Sequence, residues 1–173
     1  MMKGTIGYGL VVLLASTVMG IDSRAASLQS NAEAVLANAL AGTHVSLGQG
    51  LRASVSAGRP ISGKFEMEDG KLQLSVYTSN KGKYSEVIVD YKSGKIAKSE
   101  EIKEGEDLSH ATAQNKAMVK AKRSLRAATD KAVASNKGYR AVSAVPSLEQ
   151  DKPVATIVLE NATGTKTVSE KLD

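Results

Sequence analysis

Two ten-residue stretches, Lys71–Asn80 (KLQLSVYTSN) and Lys152–Asn161 (KPVATIVLEN), lie 81 positions apart; the first alternates around Leu72, Leu74 and Val76, and the second keeps an apolar residue at each of those three places. Alternation at period two places every second side chain on one face of a strand, so the chain is committed twice to a half-buried β-strand. The correspondence extends beyond these stretches. Val76 and Val87 fall on Ile157 and Val168, and the dipeptide Ser46-Leu47 recurs as Ser124-Leu125, 78 positions on. A repeat of this kind means two copies of one supersecondary unit, with one small loop insertion accounting for the drift in offset.

Around the first stretch the pattern reads as an antiparallel meander with one buried face. Lys64–Glu68 alternates with Phe65 and Met67 in phase, and Asp69-Gly70 is a strong hairpin turn. Leu72, Leu74 and Val76 share the next face. Lys81-Gly82 then leads into Tyr84–Asp90, where Val87, Val89 and Tyr91 are in phase, and Ser93-Gly94 leads into a weaker, edge-like strand, Lys95–Ile102. The second copy supplies Tyr139–Pro146, Val154–Glu160 and Thr165–Leu172, with turns at Gln150-Asp151 and Asn161–Gly164. It carries no counterpart of Ile96–Ile102 before Asp173. The two outermost strands, Lys95–Ile102 and Thr165–Leu172, are therefore candidate open edges, to which an extended peptide can add by backbone hydrogen bonds.

Apolar residues spaced by three and four mark the helices. Leu28, Ala32, Val35, Leu36, Ala39 and Leu40 form one stripe, stopped by Gly42. Ser46-Leu47-Gly48-Gln49 fits a capping box and starts a helix with Leu47, Leu51 and Val55 on one face, ended by Gly58 and Pro60. Gly48 and Gly50 each weaken it by up to about 1 kcal/mol, so this helix needs a sheet to pack against. A long helix is expected from Leu108 to Ser135, with a stripe of Ala111, Met118, Ala121, Leu125, Ala128 and Ala132 and with Asp107 at its positive end.

The N-terminus reads as an export signal. Lys3 gives a positive start, Ile6–Met19 carries no charge, and Ser23-Arg24-Ala25 offers small residues at both key positions before a cleavage site. The apolar run is shorter than the roughly 20 residues needed to span a bilayer, so no stable membrane span is expected after cleavage. The chain has no cysteine, which excludes disulfides and thiol chemistry. The expected organisation is a signal peptide over 1–25, an N-terminal helix within 26–45, a first unit over 46–103, an acidic linker and connecting helix over 104–123, and a shortened second unit over 124–173. The expected fold class is α+β: two units, each a helix on a small antiparallel sheet, joined by a long helix. The expected location is the periplasm or the extracellular space.

The stretch Val87-Ile88-Val89-Asp90-Tyr91-Lys92-Ser93-Gly94-Lys95-Ile96, together with the helix of Ser46–Ala57, the strand after Gly63 and the Asp69-Gly70-Lys71 hairpin, resembles the PepSY family of small extracytoplasmic α+β domains. Its signature is a hydrophobic strand closed by Asp90, then Ser93, Gly94 and Lys95. The resemblance covers about residues 46–102. Over 124–173 it is weaker, and Asn161-Ala162-Thr163-Gly164 is the only echo of the turn. It implies a non-catalytic module associated with protease propeptides and with restraint of peptidases, hence a protein or peptide partner in the cell envelope or outside the cell.

Catalytic chemistry finds little footing in these residues. A nucleophilic triad would have to use His44, in a loop, or His110, in the first turn of a helix; no catalytic residue and no cofactor is assigned. Gly94-Lys95 is not a phosphate loop, because it lacks the upstream Gly and the following Ser or Thr. Two acidic groups, Glu66/Glu68/Asp69 on an outward strand face and Glu104/Glu106/Asp107, are weak metal candidates, and an extracytoplasmic metal-binding protein is the alternative to the peptide reading. Lys116, Lys120 and Arg123, spaced i, i+4, i+7, form a candidate anion-binding face on the long helix. Only five tyrosines and one phenylalanine are present, with no tryptophan. Export and this scarcity of stacking platforms argue against nucleic acid.

Overall fold

A computed structural model describes residues 34–173. The export signal over 1–25 and the start of the first helical stripe lie outside the described residues. The elements are α1 (34–40), α2 (Leu47–Ala53) with a following 3-10 turn (Ser54–Ser56), β1 (Arg59–Glu68), β2 (Lys71–Asn80), β3 (Lys83–Val89), β4 (Ile96–Ile102), α3 (Gly105–Lys120), α4 (Leu125–Ser135), β5 (Arg140–Glu149), β6 (Lys152–Asn161) and β7 (Gly164–Lys171).

All seven strands form one antiparallel sheet in the order β4-β3-β2-β1-β5-β6-β7. This corrects the expected two helix-on-sheet units. β1 and β5 would each have been the exposed edge of a separate meander, a row of unpaired backbone groups; instead they pair with each other, Gly63 opposite Ala144 and Lys64 opposite Ser143. Gly63 makes the junction possible. A Cβ there would sit 3.0 Å from Leu51 Cδ2 and 3.2 Å from Leu47 Cδ1, the leucines with which α2 covers the seam.

The expected long connecting helix is also corrected. It breaks between Lys120 and Leu125 into α3 and α4. The Ser124 hydroxyl accepts the Ala127 N–H (3.1 Å) and so caps a new helix. The Lys122 and Arg123 N–H groups donate to Leu172 O (2.7 and 2.9 Å), which holds the link in extended form.

The repeat legible in the sequence is written into the register. β1 and β5 each carry a bulge, at Ile61 and at Val142, 81 positions apart. Val76 opposite Val87 becomes Ile157 opposite Val168. Gly63 and Ala144 are also 81 apart and pair with each other, so the local two-fold axis relating the halves passes through that pair. Contacts at the ends repeat too. The His44 and Val45 N–H groups donate to Tyr91 O (both 3.1 Å), as Lys122 and Arg123, 78 positions on, do to Leu172 O, 81 positions on.

The core face of the sheet is lined by Phe65, Leu72, Leu74, Val76, Val87, Val89, Ala144, Ile157 and Leu159, all buried under α2 and α4. The Ser46 capping box is present, with Gln49 Oε1 accepting the Ser46 N–H at 2.7 Å. Val55 departs from its expected face and is exposed: the chain tightens into the 3-10 turn after Ala53 and buries Ser54 instead. α3 lies against the opposite face, where the Tyr77 hydroxyl donates to Asp107 (2.7 Å) and the Asn115 amide donates to the Tyr84 hydroxyl (3.3 Å).

Candidate functional site

Both ends of the sheet carry charged side chains, three on β4 and three on β7. β4 covers β3 and is exposed along nearly its whole length, with Lys98, Glu100 and Glu101 on a seven-residue strand. Lys98 pairs with Glu100 at 2.9 Å, and Glu101 takes Lys83 at 3.4 Å and Lys103 at 3.5 Å. β7 ends the other side with the sequence Gly-Thr-Lys-Thr-Val-Ser-Glu-Lys. Its neighbour β6 is apolar and buried, and α4 backs the pair: Lys131 meets Glu170 at 2.5 Å and Lys166 donates to Asn136 at 2.6 Å.

The direction of the backbone groups on β7 follows from the hairpin. Asn161 pairs with Gly164 across the two-residue loop Ala162-Thr163, and such loops are closed by a doubly hydrogen-bonded pair. Alternation then assigns Lys166, Val168 and Glu170 to bonding β6. The Leu172 N–H donating to Pro153 O at 2.9 Å is in the same phase. The N–H and C=O groups of Thr165, Thr167, Ser169 and Lys171 therefore point away from β6, and among the described residues no strand lies beyond them. At the same place in the first half, Tyr84, Glu86 and Ile88 are opposed by Ile102, Glu100 and Lys98 of β4.

A shallow cavity of about 340 Å³ lies at the end of this edge, lined by Glu149, Lys152, Pro153, Val154, Lys171 and Asp173 among others. Among the described residues, no helix is long and apolar enough to cross a membrane.

The other residues singled out from the sequence are placed as follows. The Asp90 carboxylate accepts the Lys92 and Ser93 N–H groups (3.3 and 2.6 Å), and its backbone bonds Gly94 and Lys95 (both 2.8 Å). Gly94 takes φ 72°, which only glycine adopts freely. The signature turn is thus a self-contained loop, and the bonds from Ser93 hold the exposed Asp90 carboxyl below its usual range. Lys116, Lys120 and Arg123 do not share a helical face: Arg123 lies past the end of α3, and Lys120 pairs with Asp151.

The acidic candidates are spread out. Asp69 sits in the β1–β2 turn, Glu104 precedes α3, and Glu106 and Asp107 lie in its first turn. Glu66 meets Lys64 at 2.6 Å, and Glu68 accepts from Gln73 at 3.2 Å. No group of three or more His, Asp or Glu among the described residues converges as metal ligands would. Glu66 and Glu68 were expected to face outward, but α3 covers that face. Burial pushes the Glu66 carboxyl up, opposed by Lys64, and pushes Glu86 up, opposed by a hydrogen bond from Ser75 (2.5 Å). His44 bonds Tyr91 O through its backbone N–H, and His110 lies within α3.

Two residues that tie the halves of the fold together were not singled out from the sequence. Arg59 donates to Met118 O (3.1 Å) and Asn115 (2.8 Å), and Arg140, 81 positions on, donates to Leu40 O (2.7 Å) and to the Thr43 hydroxyl. Each arginine belongs to one half and holds the end of a helix from the other. The signal was available: both are arginines at equivalent positions of the repeat.

Compared with known proteins, the chain matches no family model, no curated protein and no solved structure.

Proposed function

We propose that this chain is an exported, non-catalytic binding protein that receives an extended peptide or protein segment as an added strand on β7. The single observation that carries this reading is the register: β7 stands where β3 stands in the first half, and β3 is covered by β4 whereas among the described residues β7 is outermost. The edge offers four residues with outward N–H and C=O groups, an uncharged Thr-Thr-Ser row on one face, and a buried neighbour that fixes its geometry. Strand addition gains affinity from main-chain bonds and needs no reactive side chain. The PepSY resemblance of residues 46–102 supports a peptidase as the class of partner.

The test uses a labelled synthetic peptide with the sequence of residues 95–103, KIAKSEEIK, because β4 is the chain's own example of a strand that fits this position. Saturable binding that is lost in Thr167→Pro is the expected result. Proline there removes an outward N–H while leaving the β6 ladder intact. Absence of binding at about 1 mM peptide overturns the reading, since even weak strand addition is measurable at that concentration.

A further inference from the structure

We infer that β7 also pairs with β7 of a second copy of this chain, antiparallel, with Val168 opposite Val168 on a two-fold axis. The inference rests on the same open edge as the peptide reading but commits to a different occupant and fails separately from it.

The register follows from the phase of the backbone. Only the outward groups of Thr165, Thr167, Ser169 and Lys171 are available, so self-pairing must bring odd-numbered residues opposite odd-numbered ones. Four axes pair five or more residues, and the one at Lys166 sets that lysine against itself. An axis at Thr167 puts Lys166 opposite Val168 and Gly164 opposite Glu170. An axis at Ser169 puts Val168 opposite Glu170 and Thr167 opposite Lys171. An axis at Val168 places Lys166 opposite Glu170 twice, Val168 on itself, and Thr167 opposite Ser169, and it pairs residues 165–171. Opposite charges and like apolar residues directly across an antiparallel pair are stabilising, and only this register supplies both. A two-fold axis perpendicular to the sheet keeps each α4 on the same side, as the axis through Gly63 and Ala144 already does for α2 and α4.

Glu170 is well placed for its part. Its side chain is only 13% exposed and is oriented by Lys131 at 2.5 Å, so little side-chain freedom is lost on pairing. An interface one strand wide falls at the small, transient end of the size range, below about 1,200 Å², and a dimer that exchanges readily with peptide follows. The second copy and the peptide use the same N–H groups and exclude each other.

Sedimentation equilibrium tests this on the protein, on Lys166→Glu, on the charge-swapped Lys166→Glu/Glu170→Lys, and on Thr167→Pro. The expected result is a monomer–dimer equilibrium, weakened about tenfold or more by Lys166→Glu through two opposed Glu pairs. The charge swap restores it and Thr167→Pro abolishes it; circular dichroism shows that each variant is folded. A protein that stays monomeric at about 1 mM, above the range expected for a small interface, overturns the inference. So does a dimer indifferent to Lys166→Glu, or one lost instead in Ser99→Pro, which would place it on β4. A monomer that still binds the 95–103 peptide removes the dimer alone; a dimer that peptide never displaces leaves the self-pairing and removes the peptide reading.

Discussion

Gly48 and Gly50 lie two residues apart in α2, both buried, and alanine should move stability in opposite directions at the two sites. In an open helix either change gains up to about 1 kcal/mol from reduced backbone freedom in the unfolded chain. The surroundings decide the sign. A Cβ on Gly48 meets the Asp130 carboxylate, the far end of an exposed side chain whose partner is the equally exposed Arg126. That side chain can swing away at a cost of about 0.5 kcal/mol or less. A Cβ on Gly50 lies 2.5 Å from Leu74 Cδ2 and 3.1 Å from its Cγ, and Leu74 is fully buried in the middle of the sheet. Overpacking of that kind costs about 1–3 kcal/mol, which outweighs the gain. Gly48→Ala is therefore expected to stabilise by about 0.5 kcal/mol, and Gly50→Ala to destabilise by about 1 kcal/mol. Urea denaturation with unchanged m-values measures both. In Gly50→Ala/Leu74→Val the loss should be smaller than the sum of the two single losses, because valine makes room. Equal effects at the two glycines, or a more stable Gly50→Ala, would refute the packing of α2 on β2.

Three further outcomes follow from the same geometry. Burial raises Glu86 above its ordinary 4.5, so the folded protein takes up this proton before the unfolded chain does. Stability therefore rises as pH falls through the folded value, and Glu86→Gln should be more stable than the parent at pH 7 with a flatter pH profile above about 4.5; a steeper profile in thermal melts would contradict this. Arg59→Ala and Arg140→Ala should each lose about 2 kcal/mol, as charged hydrogen bonds to helix ends disappear, and equilibrium unfolding should give both the same direction. Tyr77→Phe should cost about 1 kcal/mol by removing the bond to Asp107. In absorbance titration, one tyrosine should resist ionisation in the parent only, because burial and the Asp107 carboxylate push the Tyr77 phenol up.

The strands were legible because the sheet has one deeply buried face: Leu72, Leu74 and Val76, and later Ile157 and Leu159, had to alternate. Turns at Asp69-Gly70 and Lys81-Gly82 declared themselves through residues that accept positive φ, 48° and 73° in one, 49° and 80° in the other. The junction of the two halves was not legible. Pairing of β1 with β5 depends on Gly63 having no side chain under two leucines, and a glycine inside a strand carries no mark of what approaches it. The break in the expected long helix was missed for a related reason. The apolar stripe runs through Ala121 and Leu125 unbroken, and only the distant Leu172 carbonyl and the Ser124 cap favour an extended link. The outward placing of Glu66 failed because periodicity shows which residues share a face but not whether a helix later covers it. The end positions of β4 and β7 among the described strands were within reach, since the strand pattern already placed Lys95–Ile102 and Thr165–Leu172 outermost.

Site-resolved amide hydrogen exchange on β7 tests the binding account most directly. In the monomer, the Thr165, Thr167 and Ser169 amides should exchange fast while those of Lys166 and Val168, bonded to β6, exchange slowly. Saturation with the 95–103 peptide should slow the first set and leave β4 unchanged. Slow exchange of the odd-numbered amides in the free monomer, or peptide-induced protection confined to β4, would contradict the account.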